Sequence, residues 1–150
     1  MKKFLSLFSL FAIAWLCNVA YAEAYKTLTF PDDNQDNNKV QVYTKSWTAK
    51  IGTDSWTISN FNNSTWNSWE YIRCGNKTAA SVASIATDAA IDKAINDVVV
   101  TIDAITVSSV NSISLVVASD SNFETVDETI NASNLAKGDL VFSITTPSEN

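Results

Sequence analysis

The chain has 150 residues, no histidine, three glycines, and 10 basic against 16 acidic side chains, for a formal net charge of −6. Without histidine, the commonest general base, metal ligand and triad member is missing. Three isolated glycines build neither a phosphate-cradling loop nor a dinucleotide fingerprint. An acidic surface with no local basic cluster repels phosphate backbones, so nucleic acid is disfavoured as a partner.

The N-terminus carries the first positional signal. Lys2 and Lys3 precede an apolar run from Phe4 to Cys17, short for a bilayer span, which leads to the small-x-small triplet Ala20-Tyr21-Ala22. This is the pattern of a secretory signal peptide cleaved after Ala22, and it predicts a secreted or cell-surface location. Removing 22 of the 150 residues leaves 128, one β-rich domain over residues 23–150 that is long enough for its own core. With Lys2 and Lys3 gone, 8 basic against 16 acidic side chains give the mature chain a charge of −8. No second apolar run reaches membrane-spanning length. Cys17 leaves with the signal, so Cys74 stands alone in an oxidising compartment. It is either buried and inert, or its partner lies on another chain or on sequence absent from this one.

From Tyr25 onward the pattern is that of strands separated by polar turns, with Thr, Val and Ile abundant and helical periodicity nearly absent. A first strand is predicted over Tyr25–Phe30, stopped by Pro31, followed by the polar loop Asp32–Asn38. A second arm runs Val40–Ile51 and turns at Gly52. Trp56–Phe61, Trp69–Cys74 and Ala79–Ile85 follow as strands, and Asp88–Ile95 reads as a single helical turn capped by Asp88. The clearest period-2 alternation comes late, in Val98–Ala104, Ile113–Val117 and Leu140–Ile144, each with one apolar and one wet face. Many short strands with turn signals between them predict an all-β antiparallel sandwich, jelly-roll-like in its winding.

Three segments, LTFPDDNQDNNKV (28–40), WTISNFNNS…WEYIRCGNKTAASVASIATDAAID (56–92) and VVVTIDAITVSSVNSISLVVASDSNFETV (98–126), resemble a secreted β-sandwich module of gut-type anaerobic bacteria. That module often stands beside Ig-like or surface-anchoring modules, and its motifs are structural. More loosely, ISLVVASDSNFETV is similar to the strand-then-loop piece of galactose-binding-like, discoidin-type jelly rolls. Longer members of the module continue past the equivalent of Asn150 with further strands, one bearing a cysteine. The resemblance therefore implies a domain lacking its last strands and a Cys74 partner absent from this chain.

Chemistry-bearing candidates are few. Carboxylate pairs are the one catalytic route left, but Asp and Glu are scattered along strands and loops as solvated faces would have them, so the chain reads as non-enzymatic. Asp32, Asn34 and Asp36 present oxygen ligands at alternate positions, as a calcium loop begins. Asn37 then stands where an EF-hand needs glycine, and Tyr43 where it needs the bidentate glutamate. A structural calcium ion at Asp32, Asn34 and Asp36 is the one cofactor the sequence offers, and a polar turn after Pro31 is the favoured alternative.

Exposed tryptophan stacks on sugar rings while neighbouring amides bond their hydroxyls. Trp56 and Trp69 occupy strand positions and read as core. Trp66, with Asn62, Asn63 and Asn67 in the same loop, is the ligand-binding candidate. The leading expectation is an accessory module that recognises a glycan or another surface polymer through Asn62–Asn67. The alternative is a structural spacer or assembly domain of a larger surface protein, with no small-molecule ligand.

Overall fold

A two-residue connection sets the first hairpin. Ile51 and Asp54 are cross-strand partners, so only Gly52 and Thr53 lie between the strands, and Gly52 holds φ of 58° at the first turn position. Type II′ hairpin turns take glycine there, because positive φ is costly for a residue with a Cβ. The computed structural model describes residues 23–33, 40–63, 71–75 and 81–147. Its strands are β1 (Ser46–Ile51), β2 (Asp54–Ser59), β3 (Phe61–Asn62), β4 (Arg73–Cys74), β5 (Ser84–Thr87), β6 (Asp97–Ile102), β7 (Ser114–Ala118), β8 (Val126–Asn131) and β9 (Gly138–Ser143). A single 3-10 turn covers Val107–Ser109.

All pairings are antiparallel: β1-β2-β5 form one sheet, and β3-β4, β6-β9 and β7-β8 form two-stranded ribbons. The architecture is the all-β antiparallel sandwich class that the alternation predicts. No helix among the described residues is long and apolar enough to cross a membrane.

Alternation places Trp47 and Ala49 of β1 on the same face as Trp56 and Ile58 of β2, and the register pairs Trp47 with Ile58 and Ala49 with Trp56. Trp47, Ala49 and Ile58 are buried there. Leu28, Phe30, Val40, Trp56, Phe61 and Ile72 pack around them. Burying a side chain of this size contributes about 1.5–3 kcal/mol. The Trp47 indole meets Phe30 edge-on, with ring centroids 6.1 Å apart, and donates its Nε1–H to the Phe61 carbonyl at 3.1 Å. Its apolar body and its polar tip are thus both satisfied.

The segment predicted as a first strand is instead an irregular strap. It lays Leu28 and Phe30 on the core and is pinned at its end by Asp32 and Asp33. Lys50 N–H donates to the Asp32 carboxylate at 3.0 Å, Gly52 N–H to that of Asp33 at 2.6 Å, and Asp33 N–H to the Lys50 carbonyl at 2.8 Å. Side chains and one backbone bond replace a ladder.

Other expectations change as well: among the described residues the Trp69–Cys74 segment is a strand only at Arg73–Cys74, and the Ala79–Ile85 segment is a strand only from Ser84, running on to Thr87. The second arm is a strand only from Ser46. The stretch 88–95 is not helical: the Asp88 carboxylate accepts from Thr57 Oγ1 at 2.6 Å and its N–H donates to the Ser55 carbonyl at 3.1 Å. Its capping oxygen is engaged by β2, so the chain runs on beside that strand. Strand β8 was hidden by Glu128, a charged residue on an otherwise alternating face. The Glu128 carboxylate accepts from Thr145 N–H at 3.1 Å and Thr145 Oγ1 at 2.8 Å, tying β8 to the segment after β9.

In the C-terminal half the predicted alternation holds in β7 and β9, and in β6 for Val98 and Ile102, whereas Val100 is exposed and Ala104 lies exposed beyond the strand. Leu140 and Phe142 of β9 are buried opposite Val100 and Val98 of β6, while Leu115 and Val117 of β7 are half-buried opposite Ile130 and Glu128 of β8.

Candidate functional site

Two of the four glycan-site candidates are placed by β3. The chain leaves β2 through Asn60, whose φ of 62° puts it in the left-handed region that Asn tolerates better than most residues. Asn60 Nδ2 donates to the Val82 carbonyl at 2.6 Å. Asn62 and Asn63 then turn inward. Asn63 is 1 % exposed, accepts the Val40 N–H on Oδ1 at 2.7 Å and donates its own N–H to the Val40 carbonyl at 3.1 Å. Asn62 is buried too, and its Nδ2 donates to the Gln41 carbonyl at 3.0 Å.

These amides bind the irregular chain at 40–41 to the sheet. That corrects the expectation of a solvent-facing Asn62–Asn63 pair, for a physical reason: buried backbone groups without ladder partners draw in amide side chains. Trp66 and Asn67 lie outside the described residues, as does Trp69.

The calcium candidate divides in the same way. Asp32 is buried and its carboxylate accepts the Lys50 N–H, while Asn34 and Asp36 lie outside the described residues. Among the described residues no three His, Cys, Asp or Glu side chains cluster closely enough to hold a metal ion. Cys74, at the end of β4, is an exposed free cysteine whose thiol is partly desolvated, which pushes its pKa up. Of the two readings, a buried inert thiol or one whose partner lies outside this chain, the exposure of Cys74 speaks against the first.

A cleft that no local motif announces opens at the end of the first sheet. It has a volume of about 270 Å³ and its lining includes Lys26, Asp54, Ser55, Trp56, Thr87 and Asp88. Lys26 Nζ lies 2.6 Å from Asp54 Oδ1, and this bond raises the lysine pKa. Beside it, Tyr25 OH donates to Asp92, which raises the tyrosine pKa and lowers that of Asp92. The Lys93 ammonium stands 4.4 Å from the Tyr25 ring centroid. Trp56 is half-buried against the core, and its Nε1–H is buried without an acceptor among the described residues. Sequence reading missed this group because Lys26, Asp54 and Asp88 are brought together only by the strap and the β2-β5 pairing. The one advance signal was a strand tryptophan two residues from an aspartate.

A second surface stands out on the β6-β9 ribbon. Val99 and Val141 are direct cross-strand partners and are 46 % and 47 % exposed. On the same face, Thr101 Oγ1 donates to Asp139 at 2.7 Å on one side, and Ser143 Oγ donates to Asp97 at 2.7 Å on the other. An apolar centre is thus framed by two polar cross-strand pairs. Compared with known proteins, the chain matches no family model, no curated protein and no solved structure.

Proposed function

We propose that the protein is a secreted or cell-surface accessory module, built on a jelly-roll-like sandwich, that works by docking to a larger surface assembly and not by catalysis. The outward face of the β6-β9 ribbon carries this reading. Its Val99–Val141 centre and polar flanks have the layout of a protein interface, where an apolar core is ringed by hydrogen-bonding groups. Neither edge of that ribbon pairs with a further strand among the described residues, which leaves backbone donors and acceptors for a neighbouring chain.

A photo-crosslinker at position 141, in the protein displayed by the cell that produces it, tests the reading. We expect a discrete crosslinked partner that is lost when Val99→Lys is added and is not formed from a crosslinker at exposed Val82 on the other half of the molecule. Equal or absent crosslinking from 141 and 82 would overturn it.

Recognition of a glycan through Asn62–Asn67 is the second reading. It rests on Trp66 and Asn67, since Asn62 and Asn63 are buried, with Asn62 Nδ2 and Asn63 Oδ1 bonded to the backbone. A glycan array comparing wild type with Trp66→Ala tests it, and equal binding by the two would end it.

A further inference from the structure

We propose, resting on the docking reading of the β6-β9 ribbon, that its partner is a second copy of this chain, joined by antiparallel pairing of β6 with β6 about a two-fold axis at Val99. Ile144 N–H donates to the Asn96 carbonyl at 2.7 Å, and the β6-β9 register continues from that pair. Bonded and non-bonded pairs alternate in an antiparallel ladder, so Val98, Val100 and Ile102 turn their backbone groups towards β9. Asp97, Val99 and Thr101 turn theirs away, and among the described residues nothing bonds to those backbone groups.

Apolar exposure marks the same edge from both sides. Val99 is 46 % exposed on the outward face, and Val100 is 36 % exposed on the inward one, although its partner Leu140 is buried. Strand β9 thus buries its inward row, while β6 leaves a valine uncovered on each face. A strand laid along β6 covers both. The other ribbon is less suited: β8 carries Asp127 and Glu128, and a bulge interrupts its pairing with β7 at Val117/Ala118.

The sequence of β6 is complementary to itself. Antiparallel pairing about Val99 sets Val99 against its counterpart, Asp97 against Thr101 and Val98 against Val100. The three outward-turned residues then exchange backbone bonds in pairs, and valines of the two copies meet on both faces. Neighbouring registers are worse. Sliding the copy by two residues sets Asp97 against Val99 in one direction and against Asp103 in the other. A carboxylate then faces an apolar side chain or a second carboxylate, and like charges directly opposite are destabilising.

Charge and shape thus favour one register, and a contact of this isologous kind closes at two copies. The outward face gains a continuous stripe made of Val141, Val99 and their counterparts, framed by the Thr101–Asp139 and Ser143–Asp97 pairs. Each chain is acidic as a whole, so the copies repel at long range, and salt that screens this repulsion favours the pair.

Sedimentation equilibrium of the purified chain at rising concentration tests the proposal. We expect a reversible monomer–dimer equilibrium, tighter at high salt than at low. Val99→Lys sets two ammonium groups against each other at the axis and should weaken the dimer by about tenfold or more. Thr101→Lys places a cation opposite Asp97 at two symmetry-related positions and should tighten it about fivefold, a gain that no folding defect can imitate. Adding Asp97→Lys to Thr101→Lys opposes like charges and should reverse that gain.

A chain that stays monomeric at every concentration, or a Thr101→Lys variant that associates no more tightly than wild type, would overturn the second copy as partner. The crosslink from position 141 then decides the docking reading separately: capture of a different protein by a monomeric chain keeps that reading and gives the edge another occupant.

Discussion

The first sheet and the β6-β9 ribbon are written in the same alternating code, yet they bury it to different depths. In β1-β2-β5 the inward residues Trp47, Ala49 and Ile58 are sealed by a strap carrying Leu28 and Phe30, and by Val40, Phe61 and Ile72. In β6-β9 the inward residues Leu140 and Phe142 are buried, but Val99, Val100 and Val141 keep substantial exposure. β-Branched residues serve the pleated backbone of both regions, Ile51, Ile58 and Ile85 in the first sheet and Val98, Val99, Val100 and Val141 in the ribbon, because a branched Cβ suits a strand. What differs is cover. A strand's apolar row becomes core only where another segment lies on it: the irregular chain at 25–33 helps cover the inner face of the first sheet, whereas the Val99–Val141 face of the ribbon has no cover among the described residues.

The largest effects should come from breaking the sealed faces. Ile58→Ala is expected to cost about 2–5 kcal/mol and Phe142→Ala about 3–5 kcal/mol, because each leaves a cavity in a fully packed position. Val141→Thr, on the outward face of the same strand as Phe142, should stay within about 0.5 kcal/mol. Urea unfolding of the three variants measures the contrast directly. A cost for Val141→Thr comparable with that of Ile58→Ala would mean that the outward face is covered in the folded protein, and the comparison would collapse.

The alternating positions were readable because period-2 patterning depends only on neighbours in sequence. Val98, Val100, Leu140 and Phe142 showed their faces in advance, and Gly52 showed its turn. Features that depend on distant partners were not readable. Asn62 and Asn63 have the composition of a solvent-facing polar loop, yet they are drawn inward because Gln41 and Val40 offer backbone groups with no strand to satisfy them. Asp88 has the form of a helix cap, yet Thr57 and Ser55, which are more than 30 residues upstream, engage it first. The Trp56 cleft belongs to the same class. Its residue types are unremarkable singly, and only the docking of the strap on β2 makes them neighbours.

A smaller effect should separate buried from exposed amides. Asn63 serves the covered region, where its Oδ1 satisfies the Val40 N–H; Asn131 serves the open ribbons, where its Oδ1 accepts from Ser114 Oγ at 2.7 Å on an exposed face. Asn63→Ala leaves a buried backbone donor unpaired and is expected to cost about 1–3 kcal/mol, whereas water replaces the partner lost in Asn131→Ala. Equal unfolding midpoints for the two variants would show that the Asn63 amide is not holding the 40–41 segment.

The smallest effect is local and pH-dependent, and it belongs to the open half. The loop after β7 holds Phe123 at φ of 58°, a conformation unfavourable for an aromatic residue, with its side chain exposed. The Asp120 carboxylate holds that loop by accepting the backbone N–H groups of Thr125, Glu124 and Asn122. These bonds favour the ionised form and lower the Asp120 pKa, those from Thr125 and Glu124 most.

A carboxylate whose pKa is lower in the folded state than in the unfolded state contributes its stabilisation fully above the unfolded value, and loses it as pH falls through the folded one. Protection of the Thr125 and Glu124 amides against hydrogen exchange should therefore be insensitive to Asp120 protonation from neutral pH down to about 5, and should fall only below the ordinary aspartate value of about 3.9. In Asp120→Asn the protection should already be reduced at neutral pH. The ladder amides that β1 and β2 exchange should keep theirs across the same range in both proteins, because backbone carbonyls accept them; the Lys50 N–H, which donates to Asp32, is not among them. A transition at or above the ordinary aspartate value would show that the backbone bonds do not hold the ionised form. Simultaneous loss of protection in β1 and β2 would show that the two regions unfold as one.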